Sequence, residues 1–154
     1  MNFKWEDYNP DTMQYVEKWL DRKAVKMTGM DDGWRDFYEY WASVEYNTVG
    51  ENYWGKVVFE DEKPFAVIAL SMHEGVIYIM EVLVAPKMRG KGKGSKVIKE
   101  LLDNGKEIIG LDIQKAEATI YPSNEASQKA FSKAGFKYKS THEDGDAMTY
   151  VYGD

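Results

Sequence analysis

A short segment near the middle of the chain alternates basic residues with glycine, in the order Arg89-Gly90-Lys91-Gly92-Lys93-Gly94-Ser95. It follows the apolar run Val76–Ala85 and precedes a stretch whose apolar residues have helical spacing. Alternate glycines leave backbone N–H groups uncovered, and the helix that follows adds its positive N-terminal end. The segment therefore predicts a strand, an anion-binding loop and a helix in that order. A pyrophosphate is the anion that best suits it.

Charge is distributed unevenly along the 154 residues, which have a net charge of −6. Residues 87–99 contain six bases and no acid, whereas residues 1–86 carry a net charge of −8. The overall acidity argues against nucleic-acid binding, which needs a basic face. The basic segment suits a polyanionic cofactor instead, and the acidic N-terminal part suits the approach of a cationic substrate.

Composition excludes several kinds of chemistry. Without cysteine there is no disulfide, no thiolate nucleophile and no covalent thioester intermediate on the protein. The two histidines, His73 and His142, are far apart in sequence, so no metal site is predicted. The N-terminus lacks the apolar run of a signal peptide, and Val76–Ala85 is too short to span a bilayer. A cytoplasmic protein with no membrane partner is expected.

Hydrophobic periodicity and turn residues predict a mixed α/β domain of order β-α-α-β-β-β-α-β-α-β-β. Helices are expected from the Asn9-Pro10-Asp11 start, over Trp34–Trp41, from the basic segment to Ile109, and after Asn124. The expected strands are Phe3–Tyr8, Lys56–Glu60, Phe65–Met72, Val76–Ala85, Ala116–Tyr121, Phe136–Ser140 and Ala147–Tyr152.

The two common nucleotide motifs do not fit the basic segment. No frame matches the P-loop pattern, and the third glycine of the dinucleotide fingerprint falls on Ser95. That fingerprint also belongs early in a parallel sheet, whereas here the segment follows an expected antiparallel meander. A nucleotide-binding phosphate loop stays open as a hypothesis.

The run Val84–Gly94 resembles the acetyl-CoA signature of the GNAT superfamily of N-acetyltransferases, in which an apolar strand precedes Arg/Gln-x-x-Gly-x-Gly/Ala. Arg89, Gly92 and Gly94 hold its defined positions. A second block of the family, Asn-x-x-Ala…Tyr…Gly-Phe, is matched by Asn124 and Gly135-Phe136, with Ser127 at the alanine position and Phe131 at the tyrosine position. The resemblance covers about residues 54–154.

The resemblance implies one domain over residues 1–154, with a variable acceptor side at 1–53 and an acetyl-CoA-binding core at 54–154. Its mixed, mostly antiparallel sheet would be flanked by helices and splayed between the strands at 76–85 and 116–121. The pantetheine arm would pair with the first of these strands. The pyrophosphate would lie on the segment Arg89–Ser95, called the glycine loop below. The cofactor-binding residues implied are Val82, Leu83, Val84, Arg89, Gly90, Lys91, Gly92, Lys93, Gly94, Ser95, Asn124 and Phe131.

Direct transfer to an amine needs a base, a donor for the oxyanion and an acid for the leaving thiolate. Glu81 is the one charged residue in its apolar strand and would point away from Val82 and Val84, either as the base or amine ligand or towards solvent. Because Phe131 has no proton to give, Tyr121 is the candidate acid; it is otherwise a packing aromatic at a strand end. A backbone amide near Val84 would serve the oxyanion.

These features predict an acetyl-CoA-dependent N-acetyltransferase acting on a primary amine of a small molecule or peptide in a ternary complex. The alternative is a non-catalytic acyl-CoA-binding or sensor domain, a hypothesis that rests on Phe131. A cationic acceptor would suit the acids around Trp34–Trp41, namely Asp31, Asp32, Asp36 and Glu39, which otherwise only aid solubility around a core helix. A homodimer is compatible with this prediction.

Overall fold

The computed structural model describes residues 1–19 and 53–153, in which seven strands form one sheet. The strands are β1 (Lys4–Asp7), β2 (Tyr53–Glu60), β3 (Lys63–His73), β4 (Val76–Val84), β5 (Lys115–Ile120), β6 (Lys137–Thr141) and β7 (Met148–Tyr152). The helices are α1 (Pro10–Trp19), α2 (Lys93–Asp103), α3 (Gly105–Ile109) and α4 (Glu125–Lys133), with a 3-10 turn at Pro86–Met88.

The order of strands in the sheet is β1-β2-β3-β4-β5-β7-β6. The pair β4 and β5 is parallel, and the other neighbouring pairs are antiparallel. This confirms the predicted mixed, mostly antiparallel α/β fold and its central meander. The helix predicted over Trp34–Trp41 and its surrounding acids lie outside the described residues.

The two hairpins of the meander turn more tightly than the sequence pattern predicts. Asp61 and Glu62 form the first turn with φ of 51° and 65°, so Lys63 and Pro64, which lie between the predicted strands Lys56–Glu60 and Phe65–Met72, are already in β3. Glu74 and Gly75 form the second turn, also with positive φ. The backbone of a two-residue turn with positive φ matches the right-handed twist of the paired strands. The pairing of the strands here offsets the conformational cost of positive φ in acidic residues.

The sheet separates two hydrophobic clusters, because alternate side chains of its central strand β3 point to opposite faces. Ile68 and Leu70 pack with the residues of α2 and α4 on one face. Val67 and Ala69 pack with Tyr8 and Trp19 on the other, beside α1. Helix α2, which follows the glycine loop, and helix α1 therefore lie on opposite faces of the sheet.

The helix predicted to run from the glycine loop to Ile109 is in fact two helices. Asn104 leaves helical geometry with φ of −127°, and the short α3 begins at Gly105. A side chain at Gly105 would lie 2.4 Å from the carbonyl oxygen of Leu111, so the chain turns back there through a space that only glycine fits. Among the described residues, no helix is long and apolar enough to cross a membrane.

A buried carboxylate on α2 holds the start of the chain. Glu100 is 8% exposed and accepts hydrogen bonds from the backbone N–H groups of Asn2 and Phe3, at 2.5 and 3.1 Å, and from Trp5 Nε1 at 2.8 Å. Nothing in the spacing of α2 marks this glutamate, because it lies among apolar positions and its three donors are about a hundred residues away in sequence. These bonds fix β1 to the helix that carries the glycine loop.

Candidate active site

The parallel strands β4 and β5 separate partway along their length. The paired part begins at Val76 opposite Lys115 and ends at Ile79 opposite Ala118. Beyond it, β4 continues to Val84 without pairing with β5. At the point of separation β4 has a bulge, because Leu70 of β3 faces Ile79 whereas Ala69 faces Glu81, which leaves Met80 as the extra residue. A cleft of about 170 Å³ opens between the two strands.

The bulge decides where the side chain of Glu81 points. Strict alternation would place Glu81 on the face of Ile77 and Ile79, which belong to the cluster beside α2. The extra residue reverses the pattern, so Glu81 shares the opposite face with Leu83, and Val82 and Val84 point away from it. The predicted opposition of Glu81 to Val82 and Val84 is therefore confirmed.

Glu81 lies in a low-dielectric environment at the wall of the cleft. Burial raises the pKa of its carboxyl to about 8, although a hydrogen bond from the backbone of Val82 partly opposes the shift. The side chain still keeps some exposure. A carboxyl with this pKa is mostly protonated at neutral pH but gains its basic form within the range in which an amine begins to lose its proton.

The cleft brings together five residues that the sequence singled out, namely Glu81, Val82, Tyr121, Asn124 and Phe131. Phe131 is 5% exposed, and its ring is nearly perpendicular to that of Phe136, with the ring centroids 5.0 Å apart. Asn124 caps α4 by accepting the N–H of Ser127 at 3.1 Å, which fixes its side chain at the end of the cleft. Tyr121 is 43% exposed at the mouth of the cleft.

Met80 also lines the cleft, although the sequence analysis did not identify it. Its side chain is 52% exposed, at the extra position that the bulge inserts between Ile79 and Glu81. An apolar residue inside an apolar strand carries no signal that it opens onto a cleft. A bulge of this kind depends on pairing with β3 and is not encoded locally.

The free edge of β4 faces the cleft. Ala85 donates its N–H to Phe65 of β3 at 2.7 Å, and the direction of backbone groups alternates along an antiparallel strand. The N–H and C=O groups of Val84 and Val82 therefore point away from β3, whereas those of Leu83 point towards it. Of these groups, the C=O of Val84 accepts from Arg89 Nε and the N–H of Val82 bonds the Glu81 carboxyl, so the N–H of Val84 and the C=O of Val82 are the ones that can pair with a ligand. Among the described residues, β4 has a partner strand only on the β3 side beyond Ile79.

The glycine loop lies directly after this edge and adopts the backbone that its sequence requires. Gly90 and Gly92 have φ of +76° and +74°, and a side chain at either would project into open space. Gly92 caps α2, whose first i to i−4 bond runs from Lys96 N to Gly92 O at 3.3 Å. The N–H groups of Lys93, Gly94 and Ser95 in the first turn are thus left for an anion. Gly94 packs close to Ala130 of α4.

Two cations of the basic segment point away from the loop amides. Arg89 donates through Nε to the carbonyl oxygen of Val84 and through a terminal nitrogen to that of Trp19, both at 2.9 Å. Lys93 pairs with Glu60 at 2.7 Å. The side chains of Arg89 and Lys93 are therefore engaged elsewhere, and the contacts predicted for these residues would be made by backbone N–H groups of the loop. Lys91 is exposed beside the loop, where its charge adds to the potential that attracts an anion.

The sequence matches a family model described as "Acetyltransferase (GNAT) family" over residues 10–136. It is 37% identical over 71 residues to the L-2,4-diaminobutyric acid acetyltransferase of Halalkalibacterium halodurans. That match covers 46% of this chain and only 36% of the relative, so the chain spans about a third of the length of the curated protein it matches.

Solved structures with the same fold cover almost the whole chain. Aminoglycoside acetyltransferase AAC(6')-Ib in complex with paromomycin and acetyl-CoA has a TM-score of 0.74 at 21% identity, over 99% of this chain and 94% of the other. Spermidine N-acetyltransferase from Vibrio cholerae, in complex with CoA and spermine, has a TM-score of 0.74 at 13% identity, over 97% and 94%. The structures and the sheet topology confirm the predicted fold. The family match over residues 10–136 shows that the chain belongs to the GNAT family of acetyltransferases.

Proposed function

We propose that the protein is an N-acetyltransferase that uses acetyl-CoA to acetylate a primary amine of a small molecule or peptide in a ternary complex. The observation that carries this proposal is the separation of β4 from β5, which brings the Glu81 carboxyl and the free backbone edge of β4 to one cleft. The base and the hydrogen-bond donors that acyl transfer needs thus lie on consecutive residues of one strand.

The residues present fit acetyl-CoA. The uncovered amides of the glycine loop suit its pyrophosphate, and the free edge of β4 suits its amide-bearing pantetheine arm, which would pair as an added strand at Val82 and Val84. When bound, acetyl-CoA supplies an activated acetyl group that an uncharged amine can attack. Asn124 and Phe131, at the far side of the cleft, would flank the arm near its thiol end.

Glu81 takes the proton that the amine must lose before it can attack. Its carboxyl is on the face of the sheet beside α1, whereas the side chains of Val82 and Val84 point to the other face. The base and the side chains next to the cofactor-binding edge therefore lie on opposite faces of the same strand. A backbone N–H of the β4 edge near Val84 donates to the acetyl oxygen as charge develops there.

Tyr121 is the candidate acid for the departing thiolate. Phe131, at the position where the family has tyrosine, is buried against Phe136 and has no proton to donate. Tyr121 lines the same cleft and carries a phenol. Since thiols are fairly acidic, the thiolate also leaves without help. If the Tyr121 phenol protonates the thiolate, Tyr121→Phe lowers kcat. An unchanged kcat shows that the thiolate leaves without an acid.

For the acceptor we propose a cationic small-molecule amine. The relatives that match the chain are named for diaminobutyrate, aminoglycosides and spermidine, all of which carry more than one amine. The net charge of −8 over residues 1–86 would attract such cations to the acceptor side. Apart from Glu81, the acids of this part precede the cofactor strand β4 in sequence.

The decisive experiment is an acetylation screen with acetyl-CoA over diamino acids, polyamines, aminoglycosides and lysine peptides, preceded by a thermal-shift test with CoA, ATP and NAD. We expect CoA to stabilise the fold and at least one amine to be acetylated. Stabilisation by ATP but not by CoA would instead identify a nucleotide-binding protein. Tight binding of acetyl-CoA without turnover of any amine would identify an acyl-CoA-binding or sensor domain.

The role of Glu81 is tested by the pH dependence of Glu81→Gln. If Glu81 is the base, the loss of kcat/KM is largest up to about pH 8, where the carboxyl of the native protein reaches its basic form. The loss shrinks at higher pH because the amine then sheds its proton unaided. Glu74→Gln, in the exposed turn before β4, removes the same charge and should leave the profile unchanged. A pH-rate profile of Glu81→Gln parallel to that of the native protein rejects the role.

A further inference from the structure

Three consecutive strands place a row of unusually small residues beside Glu81. Gly55 of β2 is in register with Ala69 of β3, and Ala69 is in register with Glu81 of β4. Directly opposed residues project from the same face of a sheet, so Gly55, Ala69 and Glu81 share the face beside α1. The absent side chain and the single methyl group leave a shallow trough, about two strand spacings or roughly 10 Å long, that leads to the carboxyl.

The ring of Tyr8 fills the Gly55 end of this trough. A side chain at Gly55 would lie 2.3 Å from Cδ2 and 2.5 Å from Cε2 of Tyr8, so the ring edge rests on the glycine backbone. The N–H of Tyr8 donates to the carbonyl oxygen of Gly55 at 3.0 Å, which fixes the start of the side chain. Tyr8 is 5% exposed and its hydroxyl oxygen is buried.

Electrostatic coupling supports the proximity of the two groups. Burial, and then repulsion from Glu81, raise the pKa of Tyr8 well above its ordinary value, so the phenol keeps its proton throughout the working range. The other titratable groups that the described elements bring to this face or to the cleft are of two kinds. The phenols are Tyr15 on α1, Tyr53 on β2, Tyr78 on β4 and Tyr121 after β5. The others are Glu117 of β5, in register with Tyr78, and, farther along the face, Lys4 and Glu6 of β1 and His73 of β3.

We propose that Tyr8 is a positioning residue for Glu81, held over Gly55 and Ala69 so that its hydroxyl dipole faces the carboxyl and stabilises the ionised form. The inference rests on the proposed function, in which Glu81 takes a proton from the amine. It assigns a role to a residue that lies before α1, outside both sequence blocks that mark the family. A glycine within a strand, such as Gly55, is the one sequence signal of such a close approach.

The test uses Tyr8→Phe, which keeps the ring and removes only the hydroxyl. Titration of the Glu81 carboxyl is followed by carbon-13 NMR, with its signal assigned from its absence in Glu81→Gln. We expect Tyr8→Phe to raise the pKa of Glu81 further and to lower kcat at pH 7 by roughly three- to tenfold, with the KM for acetyl-CoA unchanged. Tyr152→Phe removes a phenol from the opposite cluster and should change neither quantity.

The double variant separates positioning from an independent effect. If Tyr8 acts through Glu81, Tyr8→Phe costs nothing further in the Glu81→Gln background. An equal loss in both backgrounds, or an unchanged titration of Glu81, overturns the proposal. Should Glu81→Gln itself leave kcat intact, the base assignment fails, and the NMR titration alone then decides: a shifted pKa supports the contact between Tyr8 and Glu81, and an unshifted one rejects it.

Discussion

Glu81 shows how one residue in a strand acquires its chemistry from its neighbours. The carboxyl lies at the wall of the cleft, on the sheet face of Tyr8 and Ala69, and burial there raises its pKa to about 8. A shift of this size in a cleft is typical of a functional group, because a surface carboxyl would be ionised far below neutral pH. The same shift must appear as a dependence of folding stability on pH.

We expect Glu81 to make the native protein less stable as the pH rises from about 4.5 to 8. Over this range the folded protein keeps the proton that the unfolded chain loses, and stability therefore falls by on the order of 4 kcal/mol. Below this range both states are protonated, and above it both are ionised. Glu81→Gln stays neutral throughout, so it should match the native protein at low pH and exceed its stability at pH 8.

Urea unfolding at several pH values measures this difference. Subtracting the free energy of unfolding of Glu81→Gln from that of the native protein isolates the contribution of Glu81 from all other titrating groups. Glu74→Gln serves as the control, because it removes a carboxyl from an exposed turn outside the cleft. A difference that rises with pH would show that Glu81 is ionised in the fold at neutral pH.

The sequence marks Glu81 but not its partners. A single charge in an apolar strand is a strong local signal, and the predicted direction of its side chain is confirmed. Tyr8 and Glu100, by contrast, acquire their contacts through pairing of β1 and β2 and through packing of α2 against the start of the chain. Contacts between residues so far apart in sequence have no periodicity that a local pattern could reveal.

Among the elements, the glycine loop is the one whose backbone is most fully determined by its sequence. Gly92 has positive φ at the cap of α2, and the space beside it is open. The loop can therefore bring an anion up to the first-turn N–H groups, where the helix dipole is positive. A side chain there would have both a conformational cost and a steric cost to the ligand.

We expect Gly92→Ala to weaken binding of CoA at least tenfold because the added methyl group covers the approach to the amides. It should also destabilise the fold by about 1–2 kcal/mol, since alanine disfavours positive φ. Gly110→Ala is the matched control: Gly110 has φ of +80° after α3, with nothing within 4 Å of an added side chain. It should show the same loss of stability but normal CoA affinity in isothermal titration, and equal affinity in both variants would contradict the phosphate-loop assignment.

Element boundaries follow tertiary contacts wherever these compete with local propensity. The helical pattern continues past Asp103, yet the chain breaks there because Gly105 packs against Leu111 and Ile113. Similarly, Lys63 and Pro64 have the composition of a turn but pair with β2. Local sequence predicts that these elements exist, whereas the chain around them sets where they end.

At the scale of the whole molecule, Arg89 connects the two sides of the sheet. Its guanidinium reaches the carbonyl oxygen of Val84 on the cofactor strand and that of Trp19 at the end of α1. A planar group with several donors can bridge two carbonyls in this way. Binding of CoA along β4 should thus be transmitted to α1.

We expect CoA to slow amide hydrogen exchange in α1 of the native protein, and Arg89→Lys to reduce this protection severalfold. A lysine ammonium has a single nitrogen and cannot donate to both carbonyls in the geometry of the guanidinium. Lys87→Gln is the control, because it removes an exposed charge from the same basic segment without touching the bridge. Protection of α1 that is unaffected by Arg89→Lys would show that the two sides of the sheet respond separately.

The fold as a whole could be predicted because its strongest signals are local and ordered. A meander, a glycine-rich basic loop, a helix and a second block at Asn124 occur in the sequence in the order in which the sheet is built. The cleft itself could not be predicted to this detail, because it depends on the bulge at Met80 and on where β4 leaves β5. Neither is a property of any single segment.

The three hydrogen bonds that Glu100 accepts have a consequence for synthesis of the chain. Asn2, Phe3 and Trp5 leave the ribosome before their acceptor, which is made almost a hundred residues later. Strand β1 therefore cannot complete its contacts until α2 has emerged. This edge of the sheet therefore waits for the whole meander and α2 to be made, and until then a nascent chain exposes Phe3 and Trp5 to the factors that bind unfolded proteins.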